Sequence, residues 1–151
     1  MEIYKENYSS PLGNIEIKST DYGIISVQFV EDFKNSQRNR HIEDCIRQLD
    51  EYFKKERRTF SLNLSPHLSN FQKKVLDDLS RVSFGHTTNY SQIARAIGQP
   101  TSIRAVGNAI GKNPIAIIIP CHRVIGKNND LRGYAWGKWR KEELLKFEQL
   151  T

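Results

Sequence analysis

Two short runs near the start of the chain alternate between apolar and polar residues, and this pattern limits the fold more than any other. The run Asn14–Thr20 places Ile15 and Ile17 on one face, and Ile24–Val30 follows after turn-forming residues 21–23. Alternation with a period of two, interrupted by close turn signals, is typical of antiparallel strands joined by hairpins. The pattern therefore predicts an antiparallel meander.

A further strand at the N-terminus completes the predicted meander. It opens at Ile3 and Tyr4 and is followed by the turn Ser9–Gly13. The polar stretch Glu31–Arg40 that comes after the meander is predicted to be a loop.

The periodicity changes at His41. From His41 to Glu56 apolar residues recur at intervals of three and four, which predicts an amphipathic helix that covers the sheet. Cys45 lies on the apolar face of this helix, so we interpret it as a small core residue. Phe60–Leu64 alternates again and predicts a short fourth strand, which Pro66 closes.

Beyond Pro66 the pattern is mainly helical, and Ser69 is a suitable N-cap for a first helix. Two shorter helices are predicted at Tyr90–Ile97 and Ile103–Lys112, separated by the helix-breaking residues 98–100. The candidate N-caps, all small polar residues, are Thr88 or Asn89 for the former and Thr101 or Ser102 for the latter. Two short helices joined by a glycine-containing turn resemble a helix-turn-helix.

These patterns together predict an α+β protein with two lobes. Residues 1–65 would form an antiparallel sheet with a covering helix, and residues 66–151 would form a mainly helical lobe with the helix-turn-helix. The boundary is placed near Ser65–His67 because Pro66 ends the last predicted strand.

Composition narrows the class of protein. No apolar run approaches the ~18 residues that a transmembrane helix needs, and the first ten residues lack the apolar core of a signal peptide. A cytoplasmic protein with no membrane partner is therefore expected. The two cysteines, Cys45 and Cys121, form neither a disulfide framework nor a metal-ligand pattern, so no metal or other cofactor is expected.

Positive charge is concentrated in the second half of the chain. Residues 1–80 carry 12 Lys and Arg against 13 Asp and Glu, a net of −1, whereas residues 81–151 carry 11 against 4, a net of +7. A one-sided basic surface is typical of proteins that bind polyanions such as nucleic acids. A solvated basic face would have the same composition.

The predicted helix Ile103–Lys112 is rich in small residues, two of which are glycines that cost about 1 kcal/mol each in a helix interior. The small residues are Ala105, Gly107, Ala109 and Gly111. Arg104, Asn108 and Lys112 recur at intervals of four and add donors to one side. Such a helix either packs tightly against another helix or enters a nucleic-acid groove.

The stretch IIIPCHRVIG favours a reactive thiol at Cys121. The apolar run Ile115–Ile119 is predicted to be a short buried strand or extended segment that delivers Cys121 to its far end, after Pro120. His122 and Arg123 follow at once. A neighbouring base or cation lowers the pKa of a thiol and so supplies the nucleophilic thiolate.

The chain from about Tyr90 to Glu148 resembles the O6-alkylguanine-DNA alkyltransferases. It contains NYSQIA, RAVGNAIGKNP, IPCHRV, GY and LLKFE in the order and spacing of that family. SPLG in the first hairpin is similar to the family's N-terminal, ribonuclease H-like lobe. The resemblance implies DNA repair in which an alkyl group leaves the O6 atom of guanine for Cys121, once per protein molecule. Activity on O4-alkylthymine is left open.

The resemblance also implies a role for each matching residue around the cysteine. Cys121 would be the nucleophile and permanent alkyl acceptor, and His122 would take its proton through a water. Glu148 would hold the far nitrogen of His122. Asn113 would order the turn that carries the cysteine, and Tyr90 would donate a hydrogen bond to the departing guanine.

The implied partner is double-stranded DNA, bound through the minor groove by a monomer, with cooperative binding left open. Arg104 would fill the stack vacated by the flipped guanine, and Tyr134 would wall the pocket. Backbone groups of Cys121 and Val124 would read the amino edge of the guanine. The predicted DNA- and substrate-binding residues are Arg104, Ala105, Gly107, Asn108, Lys112, Arg123, Val124, Tyr134, Ala135 and Trp136.

Trp136 departs from the family, which usually has a small residue there. Its indole would either narrow the pocket mouth or stack on a larger alkyl group. Three other functions remain as alternatives: a binding module that flags lesions without transfer would lack Cys121, a helix-turn-helix regulator would not need Tyr90, and a cysteine hydrolase would need an oxyanion site.

Overall fold

The computed structural model describes residues 1–149, which divide into two units. The first contains Met1–His67 together with Pro114–Ala116, and the second contains Leu68–Asn113 and the chain from Ile117 onward. A short segment from the second half of the sequence therefore belongs to the first unit. The division at residues 65/66 that the sequence suggests does not include this exchange.

The first unit is built on a three-stranded antiparallel sheet of β1 (Tyr4–Ser10), β2 (Gly13–Thr20) and β3 (Gly23–Val30), in that order across the sheet. Ile15 and Ile17 on β2 are fully buried, as their alternation requires. The predicted meander is confirmed.

The turn between β2 and β3 depends on Gly23, whose φ is +153°. A Cβ atom there would lie 2.5 Å from the backbone oxygen of Asn63, which accepts a 2.8 Å hydrogen bond from the Ile24 amide. Only glycine allows the two backbones to come this close.

Helix α1 (Arg40–Phe53) covers the sheet, as predicted. The side chain of Asn39 caps it by accepting a hydrogen bond from the Ile42 amide at 3.1 Å. Cys45 is fully buried on its inner face, so its interpretation as a core residue is confirmed. The helix ends at Phe53, three residues before the predicted Glu56, and Lys55, two residues beyond its end, has a left-handed φ of +62°.

The predicted fourth strand at Phe60–Leu64 is wrong. This segment forms a single parallel bridge, between Ile24 and Leu64. The free edge of β3 is shared: Ile24 bonds to Asn63 and Ser65, whereas Val27 donates to Pro114 and accepts from Ala116 at 2.9 and 2.8 Å. Because Pro114–Ala116 occupies this edge at Val27, Phe60–Leu64 cannot extend its pairing along β3.

The second unit contains four helices among the described residues: α2 (Asn70–Leu79), α3 (Tyr90–Ala96), α4 (Ile103–Gly111) and α5 (Lys138–Gln149). Ser69 caps α2 and Asn89 caps α3, each accepting a hydrogen bond from an amide three residues ahead. Ser102 stands at the N-cap of α4 but makes no capping bond; its hydroxyl donates to the Gln99 side chain instead. The predicted helices are present, and the fold is α+β.

Within residues 1–149, every helix is too short or too polar to cross a membrane.

Candidate active site

Cys121 lies in a series of tight turns, so the predicted strand over Ile115–Ile119 is wrong. Only Ile115 pairs with a strand, through one bridge to Val27. Ile117 then takes a φ of +69°, which is rare for a β-branched residue. Pro120, with φ −83° and ψ 62°, forms an inverse γ-turn in which the Cys121 amide donates to the Ile119 oxygen at 2.8 Å.

Asn113 is tied to this turn. Its side chain is buried, and its Nδ2 donates to the backbone oxygen of Ile119 at 3.0 Å. Cys121–Arg123 then forms a single 3-10 turn. The hydrogen bond joins the end of the α4 segment to the residue two positions before the cysteine.

Cys121 opens into a cavity of about 260 Å³ in the second unit. The walls come from α3, α4 and the loop that precedes α5. The lining residues are Tyr90, Gly107, Ile110, Gly111, Cys121, Gly133, Tyr134 and Ala135. Cys121 itself is 5% exposed, and this cavity gives a reagent a route to it.

The thiol of Cys121 is protonated at neutral pH. Burial raises its pKa to about 11, although a hydrogen bond with Asn113 and the charge of Lys141 act in the opposite direction. A thiol of this pKa needs a base at the moment of reaction, because the thiolate is the nucleophile.

His122 is the adjacent base, and it is fully buried. Its Nε2 lies 2.7 Å from Oε2 of Glu148; since a carboxylate only accepts, Nε2 carries the proton and Nδ1 is left with a lone pair. Burial lowers the pKa of His122, although Glu148 raises it, and the net shift is downward. At neutral pH the ring is therefore neutral and able to accept a proton.

Glu148 is held as a carboxylate. Burial would raise its pKa, but hydrogen bonds from His122 and Arg123 outweigh this and bring the pKa to about 2. Nε and Nη2 of Arg123 bind Glu148 at 2.9 and 3.0 Å, and Nη1 donates to the Val82 oxygen at 2.7 Å. Its guanidinium is therefore buried and occupied, and the predicted contact of Arg123 with DNA stays a prediction.

The polar residues predicted to bind DNA lie on the outer side of α4. Arg104, Asn108 and Lys112 are exposed, whereas Val106 and Ile110 face inward. Ala105 is also exposed, and Gly107 is half-buried beside the cavity. Arg104 and Cys121 thus belong to one unit, but Arg104 does not line the cavity.

Tyr134 and Ala135 line the cavity, but Trp136 does not. The Trp136 ring packs edge-on against Tyr134, with 5.2 Å between centroids. The Trp136 ring therefore contacts a residue of the cavity wall, and its predicted effect on the size of the alkyl group stays a prediction. The Val124 side chain is fully buried, and the predicted contact of the Val124 backbone with guanine stays a prediction.

Sequence reasoning missed Lys141, a lysine that is 1% exposed. Its Nζ donates to the Gly133 oxygen at 3.3 Å, and burial lowers its pKa to about 8. Lys141, Leu144 and Glu148 follow one another at intervals of three and four along α5. A lysine on the inward face of a helix was the available signal.

Both units match models of known protein families. Residues 70–150 match the family described as 6-O-methylguanine DNA methyltransferase, DNA binding domain, and residues 3–66 match its ribonuclease-like domain. The methylated-DNA–protein-cysteine methyltransferase of Methanosarcina acetivorans is 40% identical over 97% of this chain and 98% of its own. The constitutive enzyme of that name from Bacillus subtilis is 38% identical over 98% and 96%.

Solved structures agree with the sequence matches. The O6-methylguanine methyltransferase of Mycobacterium tuberculosis superposes with a TM-score of 0.90 at 33% identity, covering 99% of this chain and 94% of the other. The same organism's OGT in complex with DNA gives a TM-score of 0.88 at 35% identity, over 95% and 91%. With both domains matched along their length and a buried cysteine beside an imidazole–carboxylate pair, the chain belongs to the 6-O-methylguanine DNA methyltransferase family.

Proposed function

We propose that this protein repairs O6-alkylguanine in DNA by transferring the alkyl group to Sγ of Cys121. The observation that carries the proposal is a thiol opening into a cavity, next to His122, whose far nitrogen is fixed by Glu148 at 2.7 Å. The names of the relatives, methylated-DNA–protein-cysteine methyltransferases, support the same reaction.

The residues of the site divide the chemistry among them. His122 takes the thiol proton at Nδ1, and Glu148 stabilises the imidazolium that results. The thiolate attacks the alkyl carbon in line, the bond from that carbon to O6 breaks, and a thioether forms. Tyr90 on the cavity wall donates a hydrogen bond to the departing guanine, which limits the negative charge on the base.

Because a thioether is stable to water, the protein acts once. No residue of the site then releases the alkyl group, so each molecule repairs one lesion. The reaction should consume the protein stoichiometrically.

The DNA contacts come from α4. A guanine inside a duplex is out of reach of a buried thiol, so the nucleotide must flip out, at a cost of a few kcal/mol. The exposed donors of α4 and the net charge of +7 over residues 81–151 favour a phosphate backbone beside the cavity. The DNA complex of the M. tuberculosis OGT supports this use of the fold. Entry through the minor groove, action as a monomer and a cytoplasmic location are parts of the proposal.

The decisive experiment is the intact mass of the protein after incubation with a duplex that contains O6-methylguanine. One methyl group per molecule is expected, on the peptide that bears Cys121. Cys121→Ser should bind the duplex and gain no mass, while Cys45→Ala should react normally because Cys45 is a core residue. Binding without a mass gain in the wild type would instead indicate a lesion-flagging module.

Arg104 provides a second arm of the same experiment. If it replaces the flipped guanine in the stack, Arg104→Ala should slow the reaction with duplex far more than with free O6-benzylguanine, which needs no flipping. Equal losses on both substrates would exclude this role.

A further inference from the structure

Arg132 lies in the loop between the 3-10 turn of Cys121 and α5. Its φ is +59°, and its amide donates to Oδ1 of Asp130 at 3.2 Å. The side chain folds back over Gly126: a Cβ atom on this glycine would lie 2.8 Å from Nε of Arg132 and 3.1 Å from its Cγ and Cδ. The stem of the arginine therefore has a defined place against Gly126, although the residue is exposed.

Gly126 lies beside the start of α3. The amide of Ile125, the residue before it, donates to the Thr88 oxygen at 2.9 Å. Thr88 is two residues before Tyr90, the first residue of α3. The contact with Gly126 therefore brings Arg132 to the end of α3 that carries Tyr90.

The charge of Arg132 acts on the Tyr90 phenol. Gly133, the residue next to Arg132, lines the same cavity as Tyr90. Burial raises the pKa of Tyr90, and among the charges that face it Arg132 has the largest effect and lowers that pKa, whereas Cys121 and Asp130 raise it. Arg132 forms no ion pair with any other residue of 1–149, so its charge is not cancelled by a paired carboxylate.

We propose that Arg132 is a positioning residue that acts through Tyr90. Its guanidinium stabilises the negative charge that builds on the phenol oxygen while Tyr90 donates to the departing guanine. The inference rests on the proposed function and deepens it, because it adds a residue to the part of the site that handles the leaving group.

The charges balance as follows in the step concerned. The bond between the alkyl carbon and O6 breaks, and its electron pair stays on guanine. The phenol proton of Tyr90 moves towards the base, so negative charge builds on the phenol oxygen, and a fixed cation beside it lowers the energy of that charge. Tyr90 regains a proton from solvent once guanine has left, and Arg132 keeps its own protons throughout.

Arg132→Gln, which removes the charge and keeps a polar side chain, is the first test. We expect a roughly fivefold slower single-turnover reaction with free O6-benzylguanine, the size of one partly screened charge interaction. Modification of Cys121 by iodoacetamide should be unchanged, because iodide leaves without a proton. Arg132→Lys keeps the charge and should retain most of the rate. Arg95→Gln, which removes an exposed charge from α3 itself, is the matched control and should react normally with both reagents.

A double mutant shows whether Arg132 acts through Tyr90. Tyr90→Phe should be slow with free O6-benzylguanine, and adding Arg132→Gln should cause no further loss. A further loss would overturn the proposal, because Arg132 would then contact the guanine directly. A loss confined to alkylated duplex would overturn it too, since that result indicates a phosphate contact.

Gly126→Ala tests the placement of the arginine without changing its charge. Gly126 has φ −88° and ψ −169°, which alanine adopts without strain, so the added methyl group acts on the Arg132 side chain alone. This variant should slow the reaction with free O6-benzylguanine as Arg132→Gln does, and the two changes together should be no worse than one. A normal rate in Gly126→Ala would refute the placement.

Salt and the choice of substrate separate the remaining outcomes. Added salt should slow the wild type with the free base and leave Arg132→Gln unaffected, because an exposed charge is screened. Slow reaction of Arg132→Gln with iodoacetamide would overturn the role of Arg132 alone, since the variant would then disturb the thiol. If the wild type takes an alkyl group from the free base but not from duplex, the proposed repair of DNA fails and the role of Arg132 stands.

Discussion

At the scale of single residues, the second unit buries charged groups in two different ways. Arg123 and Glu148 compensate each other through two hydrogen bonds, so their charges are paired. Lys141 forms no ion pair within residues 1–149 and donates only to a backbone oxygen. A buried ammonium without a counter-charge is unfavourable, and the charge of Lys141 lowers the pKa of Cys121, so Lys141 would stabilise the thiolate at a cost to the stability of the fold.

Lys141→Met should therefore stabilise the protein and slow the reaction. Burial lowers the pKa of Lys141 from 10.5 to about 8, which corresponds to a cost of up to roughly 3 kcal/mol at neutral pH. Between pH 8 and pH 10.5 the unfolded chain binds more protons than the folded protein. The stability of the wild type should therefore rise with pH over this range, and the stability of Lys141→Met should not.

Urea unfolding at about pH 7 and about pH 10, with single-turnover kinetics, tests this prediction. Lys73→Met, which removes an exposed lysine of α2, is the control. A variant that is less stable than wild type at pH 7 would contradict it.

Glu148→Gln should have the opposite effect on stability. The amide leaves the Arg123 charge buried and unpaired, at a cost of roughly 3–5 kcal/mol, and the imidazolium of His122 loses its carboxylate. Because the folded pKa of Glu148 is about 2 against an ordinary 4.5, the stability that it contributes is present above 4.5 and is lost as pH falls through 2.

Urea unfolding at a series of acidic pH values would measure this loss of stability, which should be smaller in Glu148→Gln. The control is Glu142→Gln on the same helix. The Glu142 side chain is 51% exposed and pairs with Lys146, so this variant should lose stability in acid as the wild type does. Equal profiles in the two variants would place the acid sensitivity elsewhere.

At the scale of the elements, α4 is notable because close packing does not explain its glycines. A Cβ atom at Gly111 would meet nothing within 4 Å, and one at Gly107 would lie 3.7 Å from the Tyr90 ring, an ordinary contact. Of the two interpretations that the sequence allows, packing against another helix is not supported at these positions. Close approach of another molecule remains.

Gly107→Ala tests that interpretation. The change should stabilise α4 by about 0.5–1 kcal/mol, since alanine favours a helix interior and the added methyl group fits. The duplex reaction should slow more than the reaction with free O6-benzylguanine. Thermal unfolding and the ratio of the two rates are the measurements, and a destabilised variant would show that the position is needed for packing after all.

At the scale of the whole molecule, the first unit needs a segment that is distant in sequence. Residues Pro114–Ala116 bond to the backbone of Val27 on β3, although 46 residues separate them from His67. Val27 is fully buried, so water does not replace these partners. The unit is therefore complete only in a chain that contains both segments.

A protein that ends at His67 should show this in hydrogen exchange. The Val27 amide, which donates to Pro114 in the full chain, should exchange much faster in the fragment. The Ile24 amide, which donates to Asn63, keeps its partner and serves as the internal control. A peptide of residues 112–118 should restore the protection of Val27; equal protection of both amides without it would refute the prediction.

The sequence by itself determined the elements whose signals are local. Alternation over Asn14–Thr20 and Ile24–Val30 is a property of neighbouring residues, so the meander could be predicted, and the three-and-four spacing after His41 predicted α1. The strings around Cys121 were sufficient for the family, because side chains that must meet around one thiol leave a fixed order and spacing along the chain.

Only the tertiary structure decided which groups pair and which charges are buried. Ile115–Ile119 is as apolar as a strand, yet it makes one bridge to β3, between Ile115 and Val27, since Ile24 pairs with a different segment. An arginine is ordinarily a surface cation, but Arg123 is buried and pairs with Glu148, 25 positions later. Residues far away in sequence decide which segment pairs with a strand edge and which residue neutralises a buried charge, so no local pattern predicts either.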